Sequence, residues 1–562
     1  MSVSAESGSR IERLRLRYAR LLARVPHQTY FLLLGAAIAL LAVTTILTGR
    51  WNAFERKSFD LYMQARLQAP APHPDIVLVD IDEHSLAAMA PDYGRWPWPR
   101  RVLGEFMDAV EAQEPKAIVL DILFADPDLH NPDSEAAFDA AVRRAPNAFY
   151  SAVRLPAEYD AASGLAVDRV PGAIPPAAPQ SSREVPRIAM ILPYLDSVLE
   201  SGRIGTTNLL PDRDGVAREA LLHHAIDGWR MPSLPATLAT RLGAALPPGD
   251  RILLNWRGPA GTYRHVSFSD VYLDTLRQTR TRPADEFRGK IVFVGSSSAG
   301  LFDLRPTPVS RVHPGTEILA TALDNLLRDD HVRRAPEWLV ALLTACIVMA
   351  LAAVFAFHHY HRFPDRAFFF VQLGVAAVSF GALHVMPVYI DASAPITFAT
   401  TFFGLARMSM QSRDRGRSAL LRDKLAASDL DAHLLWLHCP LPKRAAARFE
   451  RLLARAARRS RLPVAQIKAP ADNLGVLERA FAGESGLAWL VPAGADDERA
   501  RTEIRALTAE LDAWAAANDA RLDCATAFAT IPSSITEQPS DLRQTFVRLL
   551  HDPADARQEY RP

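Results

Sequence analysis

With 562 residues the chain has room for two or three domains, and its formal net charge of +1 gives no global case for binding nucleic acid. Its 3 cysteines, at positions 346, 439 and 524, are scattered, which excludes a disulfide scaffold and a cysteine metal centre and leaves ordinary buried thiols.

The charges are unevenly placed. Arg10, Arg13, Arg15, Arg17, Arg20 and Arg24 precede Tyr30 to Thr48, a stretch with no charge at all. About twenty apolar residues cross a bilayer, and a basic flank stays inside. No small-residue cleavage site follows Thr48, so the segment reads as an uncleaved anchor. Next, Phe59, Tyr62, Met63 and Leu67 form a loose helical stripe, expected on a stem continuous with the span that either carries motion to the membrane or only packs on the domain.

The rest of the chain is organised around the stretch Pro74 to Asp128. Ile76–Val79 and Ala117–Leu120 are short, continuous and rich in branched residues, as strands buried on both faces are. Between them Val102, Leu103, Phe106 and Val110 mark one face of a helix over Arg101 to Ala112, so the unit reads as a right-handed crossover. Acids follow both strands: Asp80, Asp82 and Glu83 after the first, Asp121 after the second. In open parallel sheets the carboxyl ends of strands border the ligand crevice.

Further along, Glu135 to Val142 suits a helix and Ala148 to Val153 a strand. Arg154 to Arg187, with PGAIPPAAP at its centre, suits an irregular surface loop. Asp214-Gly215 signals a turn; Asp212 and Asp214 also resemble the start of a calcium loop, but no closing Glu stands at the needed spacing. Arg251 to Trp256 and Ile291 to Val294 read as strands, and Thr316 to Leu327 as a helix. Gly295-Ser296-Ser297-Ser298, at a strand's carboxyl end, would point backbone N–H groups at an anion, especially if a helix begins next. The crevice candidates are therefore Asp80, Asp82, Glu83, Arg100, Asp121, Gly295 and Ser296. The competing reading makes the acids caps and Trp96-Pro97-Trp98 packing. No catalytic or metal residue is proposed: the serines form no G-x-S-x-G elbow, and the histidines sit in no catalytic motif.

Three more apolar runs come later, Trp338 to Phe357, Ala367 to Met386 and Ala392 to Met408. The loop with Arg362 and Arg366 suits the inside, Pro387 to Asp391 the outside, and the basic run after Met408 the inside again. Four spans thus put both termini in the cytoplasm and Arg50 to Pro336 outside. Arg407 to Ser428 should prolong the last span as a connector helix.

The remainder alternates. Strands are expected at His433 to Cys439, Pro463 to Ile467, Gly486 to Val491 and Leu522 to Ile531. Helices are expected at Arg444 to Arg459, Gly475 to Phe481 and Asp541 to Leu550, with one more burying Ala500, Ile504, Leu507, Leu511 and Trp514. This is a small α/β or α+β domain.

Two resemblances refine the picture. IVLVDIDEHSL, GRWPWPR and KAIVLDILFADPD, in that order, resemble the CHASE type 2 extracellular sensory domain, as do FRGKIVFVGSSSAGLFD, PGTEILATALDNLL and the Asp212, Asp214, Gly215, Arg218 phrase. The resemblance implies an α/β periplasmic sensor with a mainly parallel sheet, behind one span and ahead of three, with a cytoplasmic output domain. The expected domains are a basic N-terminus over 1–29, a span over 30–48, the sensor over 49–336, three spans over 337–408, a connector over 409–428 and the tail over 429–562. FAGESGLAWLVPAGADDERARTEIRALTAELDAW, followed by CATAFATIP, resembles the GGDEF domain of diguanylate cyclases, but GESG replaces the signature and the first strand, LLWLHCP, lacks the metal-holding Asp. Phosphoryl-type chemistry needs such acids. The tail therefore reads as degenerate, and the chain as an inner-membrane sensor whose tail acts by contact; the alternative is a sensor enzyme with cyclase activity. No cofactor is expected. The expected partners are the lipid bilayer, a small ligand or periplasmic protein outside, a second copy of the chain and a cytoplasmic protein.

Overall fold

The computed structural model describes residues 25–129, 131–176, 185–301, 303–357, 362–425, 430–438, 452–453, 464–468, 484–492, 498–517 and 523–531. It divides into two units: Gln28–Gly404, and Leu405–Pro562 with Met1–His27.

In the first unit the sheet runs Arg264–Ser267, Ile76–Asp80, Ile291–Gly295, Ala117–Leu120, Ala148–Arg154, all parallel. Ile204–Thr206 continues it in parallel beyond Tyr150, while Met190–Ile191 pairs antiparallel with Arg154 and Val153, making the sheet mixed but mainly parallel. Ile76–Asp80 and Ala117–Leu120, expected as one crossover unit, are not neighbours: Ile291–Gly295 from late in the chain lies between them. Alternate residues explain the unbroken apolar runs. Ile76 and Leu78 enter a core with helix Gly315–Arg328, whereas Val77 and Val79 enter another with helix Arg100–Glu111. Both faces being covered, no position can be polar without cost.

The stem differs from its expected form. A turn at Thr48–Trp51, with Gly49 at φ +67°, separates helix His27–Leu47 from helix Asn52–Gln64. The second helix buries Phe59 and Met63 in the sheet's core, and Leu67 is exposed. Its first turn reaches the segment between two later helices. Trp51 Nε1 donates to the Asp391 carboxylate at 3.0 Å, and Tyr389 Oη donates to the Glu55 carbonyl at 2.9 Å. Of the expected loop over 154–187, the described parts 154–176 and 185–187 hold two 3-10 turns, Ala157–Ala162 and Val167–Arg169, and Val167 and Val170 build a small core with Ile188 and Met231.

Among the described residues three helices are long and apolar enough to cross a membrane: His27–Leu47, Glu337–Phe357 and Asp365–Val385. The fourth expected span lies in a helix, Ser393–Leu425, that runs on without interruption through most of the expected connector. Gly35 sits against Ala352, so the first two of these helices cross with almost no space between backbones.

In the second unit, strands Leu430–His438, Val464–Lys468, Glu484–Pro492 and Asp523–Ile531 form one antiparallel sheet, ordered second, third, first, fourth. Helix Glu498–Ala517 buries Ala500, Ile504, Leu507 and Leu511 as its spacing predicts, with Ala515 rather than Trp514 completing the stripe. Antiparallel pairing favours the α+β reading over α/β. The helices expected at 444–459, 475–481 and 541–550 lie, but for residues 452–453, outside the described residues.

Candidate functional site

At the carboxyl end of the central strands lies a cavity of about 420 Å³, within the range of small-molecule sites. Four sequence candidates line it: Arg100, Asp121, Gly295 and Ser296. Strand Ala117–Leu120 delivers Asp121 at its end, where the backbone N–H donates to the Val294 carbonyl at 2.8 Å. Its carboxylate accepts from Thr316 Oγ1 at 2.8 Å and Ser151 Oγ at 3.4 Å. Burial raises its pKa, and these two hydroxyls only partly offset that. Gly295 is needed for close approach: a Cβ there would collide with the Thr316 side chain that holds Asp121.

The site also holds an acid that the sequence pattern does not single out. Asp303 lines the same cavity, and burial followed by the charge of Asp121 pushes its pKa up to about 7. Gly315, first residue of helix Gly315–Arg328, lies directly against its carboxylate, and the Gly315 N–H donates to the Asp303 carbonyl at 2.9 Å. Asp303 comes after the serine loop with no strand pattern before it, so only the fold reveals its place.

Asp80, Asp82 and Glu83 serve another set of contacts. Asp82 caps helix Glu83–Tyr93, accepting from Ser85 N–H at 2.7 Å, and also accepts from Ser267 Oγ at 2.9 Å. Asp80 accepts from the Ser297 N–H at 2.7 Å and from the Ser297 hydroxyl, while Glu83 accepts from Ser298 Oγ at 2.6 Å. The serine loop's amides are thus engaged: Ser297 by Asp80, Ser298 by Ser296 Oγ at 3.0 Å. Only a 3-10 turn, Ala299–Leu301, comes after it, so the loop is not the anion nest that its sequence suggests. These acids fix the loop that forms one wall of the cavity.

Arg100 lines the cavity but is already engaged. Its guanidinium lies 4.7 Å from the Phe124 ring centroid and donates to the Asp126 carbonyl at 3.0 Å. Burial lowers its pKa, against the charges of Glu135, Asp128 and Asp126. Trp96 and Trp98 meet edge to face at 4.9 Å and supply the aromatic wall.

The phrase Asp212, Asp214, Gly215, Arg218 forms a turn, with Gly215 at φ +80°. Its carboxylates face inward to an arginine rather than outward to a cation. Arg218, 2% exposed, donates to Asp60 at 2.7 Å twice, to Asp212 at 2.6 Å and to Asp214 at 2.9 and 2.8 Å. Those bonds hold Asp214 far below the usual carboxylate range. Among the described residues no group of three or more His, Cys, Asp or Glu side chains could hold a metal ion.

A family model for the CHASE2 domain matches residues 37–357, more than half of the chain. No curated protein and no solved structure matches it.

Proposed function

The chain belongs to the CHASE2 domain family, and from that premise we propose that it is a multi-pass sensor of the bacterial inner membrane. A ligand enters the crevice around Asp121 on the periplasmic side, and the signal passes through the spans to a non-catalytic cytoplasmic tail. The observation that carries this reading is the double grip of helix Asn52–Gln64. On one side Phe59 and Met63 belong to the core beneath the sheet. On the other, Trp51 and Glu55 hold Asp391 and Tyr389, which lie just before the helix leading to the tail. A change in the sheet's packing therefore reaches the membrane helices through packed contacts and hydrogen bonds.

Four spans fit this reading. Gln372 donates to Thr400 Oγ1 at 2.8 Å, the polar cross-link common between membrane helices, and Phe368 stacks on Phe403 at 4.3 Å. Arg407 and the basic residues after it suit the inner face. Reporter fusions at positions 177 and 562 should report opposite sides; the same side for both would sink the topology.

The tail's strand order suits a βαββαβ domain of the kind that GGDEF proteins elaborate. Glu484 stands at the start of a strand, opposite His438, without the paired acids that hold Mg²⁺ against triphosphates. The purified chain with GTP and Mg²⁺ or Mn²⁺ should yield no cyclic dinucleotide. Turnover abolished by Glu484→Ala would restore the cyclase reading. For the crevice, Leu301→Trp, which fills the cavity, should change amide exchange in peptides covering 52–64 and 386–392; unchanged exchange there would count against a sensor crevice.

A further inference from the structure

The crevice holds two acids whose charge its surroundings do not answer. Asp121 and Asp303 both lie at the first turn of helix Gly315–Arg328, one held by Thr316 and the other against Gly315. A helix N-terminus offers about half an elementary charge. Two ionised carboxylates would exceed that, and neither forms an ion pair among the described residues, so burial raises both pKa values and the charge of Asp121 adds to the rise at Asp303. Arg100, the cation lining the cavity, is turned to Phe124 and the Asp126 carbonyl. A cation between the two acids would therefore let both ionise.

A second, independent feature is a donor with nothing to donate to. Trp98 is 3% exposed and lines the cavity, and its Nε1–H has no hydrogen-bond partner among the described residues. A buried indole N–H normally finds an acceptor, because leaving it unmade costs about 1–3 kcal/mol. Trp96, Leu209, Leu301 and Leu319 give the wall an apolar part, beside the hydroxyls of Ser151, Thr207 and Ser296.

We propose that the crevice binds a small organic ammonium compound that carries one hydrogen-bond acceptor on an apolar body. This rests on the sensor reading above and names its ligand class. The ammonium group sits between Asp121 and Asp303, the body lies against Trp96 and the leucines, and the acceptor meets Trp98 Nε1. Charge complementarity selects against anions, and Leu209, Leu301 and Leu319 leave one side of the site without the oxygen ligands that a bare metal ion needs on all sides. Trp96 adds a ring face for the cation.

Tyramine is a suitable probe, because it combines an ammonium, a ring and a phenol oxygen. Binding to the full chain in lipid nanodiscs should be read by calorimetry and melting. Tyramine should bind at least about tenfold tighter than 4-ethylphenol, which lacks the amine, and than 4-hydroxyphenylacetate, which replaces it with an anion; tenfold is about 1.4 kcal/mol. 2-Phenylethylamine, lacking the phenol oxygen, should fall between. Asp121→Asn and Asp303→Asn should each weaken tyramine at least about tenfold, and Asp303→Glu should restore part of the loss. Asp108→Asn, an exposed change outside the crevice, should bind as the parent does. Equal binding of 4-ethylphenol, preference for the anion, calcium binding that needs Asp121, or no binding of either amine at about 10 mM would each overturn the proposal. Failure of the amines while Leu301→Trp still alters exchange at 52–64 would remove the ligand class and leave the sensor reading standing.

Discussion

Two clusters of carboxylates in the first unit are treated in opposite ways. Beneath the sheet, Arg218 gathers Asp60, Asp212 and Asp214 in forked hydrogen bonds, and Arg257 holds Asp324 at 2.7 and 3.0 Å and Asp330 at 2.8 and 2.9 Å. Burial alone would raise the Asp324 pKa, yet Arg257 keeps it low. At the crevice Asp121 has hydroxyls and Asp303 a helix end, Arg305 acts on Asp303 without an ion pair, and both pKa values rise. A buried acid with an arginine is part of the scaffold. At the crevice, where neither an arginine nor, as at Glu317, a set of backbone N–H groups answers the charge, the acids are chemistry held ready for a ligand.

The largest break in this comparison is at the scaffold. Arg218→Leu leaves three carboxylates with only the exposed Lys57 beside Asp214 and Asp60, and losing one partner of a buried pair costs about 3–5 kcal/mol. A large drop in the melting temperature of the full chain is expected, with Asp60→Asn, Asp212→Asn and Asp214→Asn together recovering part of it. A melt unchanged by Arg218→Leu would show that this junction is not structural.

The range of each signal decides how much of the molecule is legible in its sequence. The strands at 76–80, 117–120 and 291–295 declare themselves because burial on both faces makes them continuously apolar. Asp121 and Gly295 come with them, since a strand's end is fixed once the strand is. The edge strand Arg264–Ser267 is half polar and only four residues long, and so carries no such pattern. Helix Leu234–Arg241 had a usable signal, Ser233 as cap with Pro235 in the first turn. Asp303 had none: it becomes a site residue only because a helix starting twelve residues later, at Gly315, brings its first turn against it. For the same reason Asp80 is drawn towards the crevice by its position, although Ser297 claims it in the fold.

A smaller effect sharpens the boundary of the crevice. Gly295→Ala places a methyl group on Thr316, the residue whose hydroxyl holds Asp121. Overpacking of this kind costs about 1–3 kcal/mol. Ligand binding should suffer as well, since Thr316 cannot move without releasing Asp121. Gly94→Ala is the useful contrast: open space surrounds that position, so any loss there reflects its φ of +75° alone, with binding unchanged.

The last expected effect has the opposite sign, and it discriminates best. In the unfolded chain Asp303 titrates near its ordinary value of 3.8; in the fold its pKa rises to about 7, through burial first and then through Asp121. The folded state therefore holds more protons than the unfolded state between those two values. Stability must fall as pH rises across that window, and level off above it. Arg305 opposes the shift without cancelling it. Asp303→Asn keeps the shape and removes the titration, so it should stabilise the chain at pH 8, by an amount that shrinks as pH falls to 5. Melting curves at pH 5, 6, 7 and 8 for the parent and the variant measure this directly. Asp324→Asn should behave in the contrary way, destabilising at every one of these pH values, because Arg257 then loses a charged partner. Parallel pH profiles for parent and Asp303→Asn would mean that the crevice acids are compensated like those of the scaffold, and the distinction between the two regions would collapse.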